Sequence, residues 1–232
     1  MFSATLRRSA FVSLIFAALA LPACSEEAPK MIPAPQFDES KAAQSGQETA
    51  VLSGGCFWGV QGVYQHVKGV TQVWAGYSGG GPATAQYEIV STGVTGHAES
   101  VKILFDPRQI SYGEILRIYF SVTTDPTELN YQGPDEGTQY RSDIFYTSDM
   151  QKRIAEAYIK QLAAAHAYAA PIVTRIDKFA AFYKAEDYHQ DYLINHPDQP
   201  YIAYNDLPKV AALKRLYAGY YREAPVMVHA RS

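Results

Sequence analysis

The chain has 232 residues, 47% of them hydrophobic and 19% charged, with a formal net charge of −3. That is enough apolar chain for one globular domain with short appendages, and the absence of a basic block or face excludes nucleic acid as a partner. The 18 tyrosines bring apolar area with a hydroxyl, suited either to lining a site or to a half-buried surface.

Residues 1–23 read as a secretory signal peptide: Arg7 and Arg8, an apolar run from Ala10 to Leu21, then small residues. The run is too short and wrongly flanked for a stable membrane-spanning helix. Leu21, Pro22, Ala23 and Cys24 resemble the lipobox of bacterial lipoproteins, in which the cysteine becomes the lipidated mature N-terminus. Pro22 is not the usual residue there, and the other reading is a simple cleavage site before an incidental cysteine. A lipidated Cys24 predicts a periplasmic, extracytoplasmic protein that touches the membrane only through its acyl chains. Residues 24–46 carry three prolines, many charges and no apolar period, and read as a disordered tether.

A domain is expected over 47–205, followed by a C-terminal helix and tail over 206–232. Residues 48–54 read as a buried strand ended by glycines. Val60, Val63, Tyr64 and Val67 share one helical face, stopped near Gly69. The stretch 71–81 is a strand running into a glycine-rich loop, and 97–106 alternates with Val101, Ile103 and Phe105 on one side, a further strand. Ser111 and Glu114 have capping-box spacing before a helix with Ile115, Ile118, Tyr119 and Val122 on one face. Residues 140–148 read as a strand. Ser148 and Gln151 then open a long helix extending to Pro171, with Ile154, Tyr158 and Leu162 aligned. A strand at 172–177 and a short helix closed by Pro197 follow. Interleaved helices and strands predict a sheet with helices packed on it.

Cys56 follows a strand and the pair Gly54-Gly55, at the head of the first helix. Unpaired N–H groups and a partial positive charge at a helix N-terminus favour thiolate over thiol. Lowering an ordinary thiol pKa of about 8.5 by two units would make most of it ionised at pH 7. Glycine also admits a substrate close to the backbone. Against this stands burial, since free cysteine is among the most buried residue types and often acts as a small hydrophobe.

The run Gly54-Gly55-Cys56-Phe57-Trp58-Gly59 resembles the signature of the peptide methionine sulfoxide reductases of the A class, which act on the S epimer. Residues 87–107, 135–142 and 185–193 resemble further stretches of that family in the same order. The resemblance implies an α/β (α+β) two-layer sandwich, a mixed sheet with packed helices around a ferredoxin-like core. It also implies a monomeric oxidoreductase that repairs oxidised proteins or reduces free methionine sulfoxide. Cys56 corresponds to the nucleophile, Glu99 to the acid, Tyr87 and Tyr140 to hydroxyl donors, and Asp135 to a residue that holds the site together. Phe57 and Trp58 correspond to the apolar pocket for the substrate methyl group, beside Gly54 and Gly55. Reduction of a sulfoxide needs such a set, because oxide departs only when protonated or strongly hydrogen-bonded, and Glu99 serves only if an apolar surrounding raises its pKa.

After attack Cys56 would be a sulfenic acid needing a second thiol. Many relatives carry resolving cysteines near the C-terminus; this tail has none, and Cys24 is the only other cysteine. The expectation is therefore no cofactor and an external thiol reductant, thioredoxin- or glutathione/glutaredoxin-like, unless a free Cys24 reaches back. A competing enzyme reading is a papain-like hydrolase, with Cys56, Trp58, His189 and Asn195 at suitable spacing. A non-catalytic reading is a lipid-anchored binding protein. The six histidines show no metal-ligand spacing, so no metal is expected.

Overall fold

The computed structural model describes Met1, residues 28–41 and residues 46–228. The expected signal peptide beyond Met1, and Cys24, lie outside the described residues. Among the described residues no helix is long and apolar enough to cross a membrane.

The chain runs β1 (Glu48–Ser53), α1 (Phe57–Gln65), β2 (Val70–Ser78), α2 (Tyr87–Val90), β3 (Ala98–Phe105) and α3 (Tyr112–Ile118). It continues through β4 (Tyr131–Gln132), β5 (Asp135–Glu136), β6 (Asp143–Tyr146), α4 (Asp149–Ala164), β7 (Arg175–Lys178), β8 (Phe182–Lys184), α5 (Tyr192–Asn195) and α6 (Leu207–Leu216). Six strands form one sheet in the order β7-β6-β1-β3-β2-β8. Only the β6–β7 pair is parallel, joined through α4; the other four pairings are antiparallel. Within this sheet β1-α1-β2-β3-α3-β6 has the strand order β6-β1-β3-β2, the ferredoxin-like core that was expected.

The local rules hold where the pattern was strong. Ser111 and Glu114 make the reciprocal capping box of α3, and the Ser148 hydroxyl accepts the Gln151 N–H at the start of α4. The apolar faces of α1, α4 and the three central strands meet in one core that includes Leu52, Val60, Tyr64, Val73, Val101, Ile103, Ile154 and Leu162. The helix expected to reach Pro171 ends at Ala164, where His166 takes a positive φ of 47° and turns the chain. The short helix expected around 185–196 is a 3₁₀ turn, Asp187–His189, and a single α turn, α5, separated by Asp191 at φ 57°.

Two boundaries are corrected. The described part of the expected tether, residues 28–41, is packed on the domain rather than disordered. Ile32 is 2% exposed, and the Ile32 carbonyl accepts the Arg117 Nη2 and Nε at 2.7 and 3.0 Å. The Tyr158 hydroxyl donates to the Pro33 carbonyl, Gln161 brackets Ala34 and Gln36, and Asp38 accepts the Ser111 hydroxyl and the Gly113 N–H. An extended strap needs no apolar period, because its backbone is satisfied by side chains of α3 and α4. The second boundary, at 205, cuts through the domain. Beyond it, the Tyr217 hydroxyl meets Ser121, and Arg222 and Val226 donate to the His66 and Gln65 carbonyls at the end of α1.

Candidate active site

The sheet ends at Ser53, and the chain turns through two glycines into α1 with Cys56 as its N-cap residue. Gly55 has φ +88°, a conformation that strains any side chain, and a Cβ on it would lie 2.7 Å from Gln132 Cβ. A Cβ on Gly54 would lie 2.9 Å from Thr124 Cβ. The room made by these glycines is thus taken by the protein's own side chains. The expectation that Gly54 and Gly55 admit substrate is corrected to a packing role that brings the loop after the π-turn Tyr119–Thr123 against the thiol turn.

The first N–H of α1 does not face the sulfur. Phe57 N–H donates to Glu99 Oε2 at 3.0 Å. Glu99 reaches this point from β3, is 3% exposed, and has its pKa raised to about 8, chiefly by burial; the Phe57 hydrogen bond opposes the rise, and Asp135 and Asp206 add to it. A carboxyl protonated at neutral pH therefore stands beside the turn that carries Cys56.

Cys56 itself is 7% exposed. The expectation of a depressed pKa is not met in the ligand-free site. Burial first, then the charges near Glu99 and Asp206, push the thiol up, against a backbone hydrogen bond from Trp58. A helix N-terminus whose first N–H is already taken by Glu99 does not ionise a buried thiol.

Tyr87, at the start of α2, and Tyr140, the last residue of the 3₁₀ turn Thr138–Tyr140, are both partly exposed. Both phenols are pushed up by burial and then by Glu99, with Cys56 also acting on each, so both remain protonated donors around the same acid. Asp135, from the β4–β5 hairpin, accepts the Tyr201 hydroxyl. Its own carboxyl is raised by burial, and it acts on Cys56 and Glu99. The five expected polar residues are thus brought together. Of the two expected aromatics, Phe57 is 1% exposed while Trp58 keeps solvent-facing surface. The indole stacks on Tyr192 at 3.9 Å and 11° and meets the Tyr201 ring edge-on at 6.1 Å.

Two residues escaped the sequence reading. Tyr201 lies in the helical turn that leads into the π-turn Ile202–Asp206, a stretch with no motif, where its hydroxyl meets Asp135 and its ring meets Trp58. Asp206 is fully buried, and a Cβ on Gly59 would lie 2.1 Å from its Oδ1; Lys209 Nζ is 3.7 Å from the same oxygen. A glycine at the third position of α1 was the one available sign that something large approaches there. The papain-like arrangement is not assembled. His189 Nδ1 accepts the Trp58 indole N–H at 3.1 Å, and Asn195 is exposed on α5. No group of His, Cys, Asp or Glu suited to a metal ion occurs among the described residues.

The family model for peptide methionine sulfoxide reductase matches residues 48–219. The chain is 59% identical over 190 residues to peptide methionine sulfoxide reductase MsrA 2 of Mesorhizobium japonicum, covering 82% of this chain and 97% of that protein. It is 49% identical over 191 residues to the protein of the same name from Synechocystis, covering 82% and 89%. Among solved structures, methionine sulfoxide reductase A of Corynebacterium diphtheriae aligns with a TM-score of 0.56 at 32% identity, over 75% of this chain and 88% of that one. Mxr1 of Saccharomyces cerevisiae in reduced form aligns with 0.59 at 32% identity, over 66% and 87%. With a thiol, a buried protonated acid and two tyrosines gathered at one helix start, and with relatives this similar along almost their whole length, the chain belongs to the peptide methionine sulfoxide reductases, an oxidoreductase family.

Proposed function

We propose that this enzyme reduces methionine-S-sulfoxide, free or within proteins, to methionine, using Cys56 as nucleophile and Glu99 as acid, and so repairs oxidised proteins. The observation that carries the reading is Glu99: a buried carboxyl, protonated up to about pH 8, hydrogen-bonded to the residue next to the only cysteine of the described chain.

The sulfoxide oxygen accepts hydrogen bonds from the Glu99 carboxyl and from the Tyr87 and Tyr140 hydroxyls, which draws electron density from the sulfoxide sulfur. Cys56 sulfur then attacks it. The Glu99 proton passes to the oxygen, and the thiol proton returns to the carboxylate. The attack forms an S–S bond and leaves a hydroxyl on the substrate sulfur; that hydroxyl then passes to Cys56 sulfur as the S–S bond and the substrate S–O bond break, leaving methionine and Cys56 sulfenic acid, so that the substrate sulfur gains two electrons and the cysteine sulfur loses two. The raised thiol pKa of the empty site suits this order, because the proton leaves only when the polarised sulfoxide is present to use it. Asp135 accepts the hydroxyl of Tyr201, whose ring meets the Trp58 indole edge-on, and so holds the same side of the pocket.

No cysteine follows Cys56 in the chain, so an external thiol, thioredoxin- or glutathione/glutaredoxin-like, attacks the sulfenic sulfur with loss of water, and a second thiol frees Cys56 from the mixed disulfide. We place the enzyme outside the cytoplasm, anchored by lipid on Cys24, on the strength of the residues that resemble a signal and lipobox. The test is intact mass after exposure to each methionine sulfoxide epimer without added thiol. The expected result is one added oxygen on Cys56 with the S epimer only; equal transfer from the R epimer, or transfer from neither, overturns the reading.

A further inference from the structure

Arg141 follows Tyr140 directly and has no place in the chemistry proposed for the site, yet it is only 6% exposed. Its guanidinium is directed at neighbouring backbone. Nη1 donates to the Thr138 carbonyl at 3.0 Å and to the His97 carbonyl at 3.2 Å, and Nη2 to the Gly96 carbonyl at 3.1 Å. Nε donates to the Asp143 carboxylate on β6 at 3.0 Å. Thr138 opens the 3₁₀ turn that ends at Tyr140, whereas Gly96 and His97 lead into β3, where Glu99 stands. Gly79, at φ +98°, makes way for the same group, since a Cβ there would lie 2.7 Å from Arg141 Nη2. One planar fork thus joins the turn carrying Tyr140 to the strand carrying Glu99. A lysine could not do this, because an ammonium lacks the fixed donor directions of the fork. Burying a guanidinium against one carboxylate is costly, and the three carbonyls offset that cost by satisfying its N–H groups.

We infer that Arg141 is a positioning residue: its guanidinium holds the Tyr140 hydroxyl and the Glu99 carboxyl at the separation at which both reach one sulfoxide oxygen. The role of those two groups toward the oxygen rests on the reductase reading above. The oxygen takes on negative charge as its bond to sulfur breaks, so its donors must already stand where that charge develops. A misplacement of about 1 Å costs about a hundredfold in rate. The same turn is also tied to the loop after α2. The Thr138 hydroxyl donates to the Gly93 carbonyl at 2.6 Å, and Gln139 Nε2 to the Ser91 carbonyl at 3.3 Å. Tyr87 opens α2 and brings the second hydroxyl, so all three donors stand on elements joined to one turn. Without Arg141 the turn keeps its ties to the α2 loop and loses these bonds to the head of β3.

Tyr87 offers a second hydroxyl that would mask the loss, so the test runs in a Tyr87→Phe background. Single-turnover oxygen transfer to Cys56 at saturating methionine-S-sulfoxide is read by intact mass, for as long as the slowest variant requires. It is compared in Arg141→Lys, in Tyr140→Phe and in the two combined. Arg141→Lys should slow the transfer about tenfold while Tyr140 is present, and by less than about twofold once Tyr140 is phenylalanine. A guanidinium that only supports the fold would slow both backgrounds alike. Should Arg141→Lys fail to fold, Asp143→Asn, which keeps the shape and removes the charge facing Nε, carries the same comparison, with about threefold slowing against none. Equal slowing in both backgrounds, or no slowing in either, overturns the inference. Amide exchange over residues 137–141, read without substrate, should quicken in Arg141→Lys, and unchanged exchange there overturns the inference as well. Absence of oxygen transfer in the parent protein overturns the reductase reading instead, a separate result.

Discussion

Between its ordinary value near 4.5 and about 8, the Glu99 carboxyl keeps a proton that an exposed glutamate has lost. The folded form is the one that binds this proton, so the contribution of Glu99 to stability is full below the unfolded pKa and is lost as pH rises through about 8. His189 has the opposite sign. Burial lowers its pKa and leaves the folded ring neutral where the unfolded chain binds a proton, so its contribution is present above about 6.5 and is lost as pH falls. For catalysis the Glu99 sign matters most, because the acid is spent once ionised. Oxygen transfer to Cys56 should decline above pH 8, and Glu99→Gln should slow it by about 10²-fold or more while abolishing that decline. Single-turnover rates from pH 6 to 10 check this, and a decline that persists in Glu99→Gln assigns it to another group. The identity of Glu99 as acid was legible only through resemblance. By itself a glutamate in an alternating strand reads as solvated, and its burial beneath the Phe57 N–H is decided by where β3 meets α1.

At the scale of elements, α1 carries the site because both of its ends are held. Gly59 in its first turn lets the Asp206 carboxylate reach the helix backbone, and the residues after α6 return to pin its last turn. Helix propensity alone favours Gly59→Ala by about 1 kcal/mol. With Oδ1 of a fully buried aspartate 2.1 Å from the new Cβ, the substitution should instead destabilise by about 1–3 kcal/mol and disturb Cys56 through the same turn. Urea unfolding and oxygen-transfer rate measure the two effects, and a stabilised, fully active Gly59→Ala would show that the close approach is not required. The elements with strong periodicity or capping pairs were readable: β1, α1, β3, α3 and the start of α4. The short β4–β5 hairpin and β8 were not. Two- and three-residue strands have no room for a period, and they exist only because Asp135 and Tyr183 find partners already in place.

The strap of residues 28–41 belongs to the scale of the whole molecule, since it joins α3 to α4 from outside the sheet. Ile32 is its buried anchor, and Ile32→Ala should cost about 2–3 kcal/mol, lowering the melting temperature by roughly 5–10 °C for a domain of this size. Oxygen transfer at 25 °C should be unchanged, because the strap lies on helices that do not carry the site. A melting temperature unmoved by the substitution would return this segment to a free tether. From its residues alone this protein declared a sheet with helices packed on it and a cysteine at a helix start, and short runs in fixed order carried the family resemblance that implied the ferredoxin-like core, because those features are local: periodicities, caps and motifs. Tertiary structure alone decided that Cys56 rests as a thiol, that Tyr201 and Asp206 belong to the site, that His189 serves Trp58 rather than the sulfur, and that the N-terminal segment is docked. Each of these depends on burial or on partners more than a hundred residues away, and desolvation and long-range contact leave no mark on local sequence.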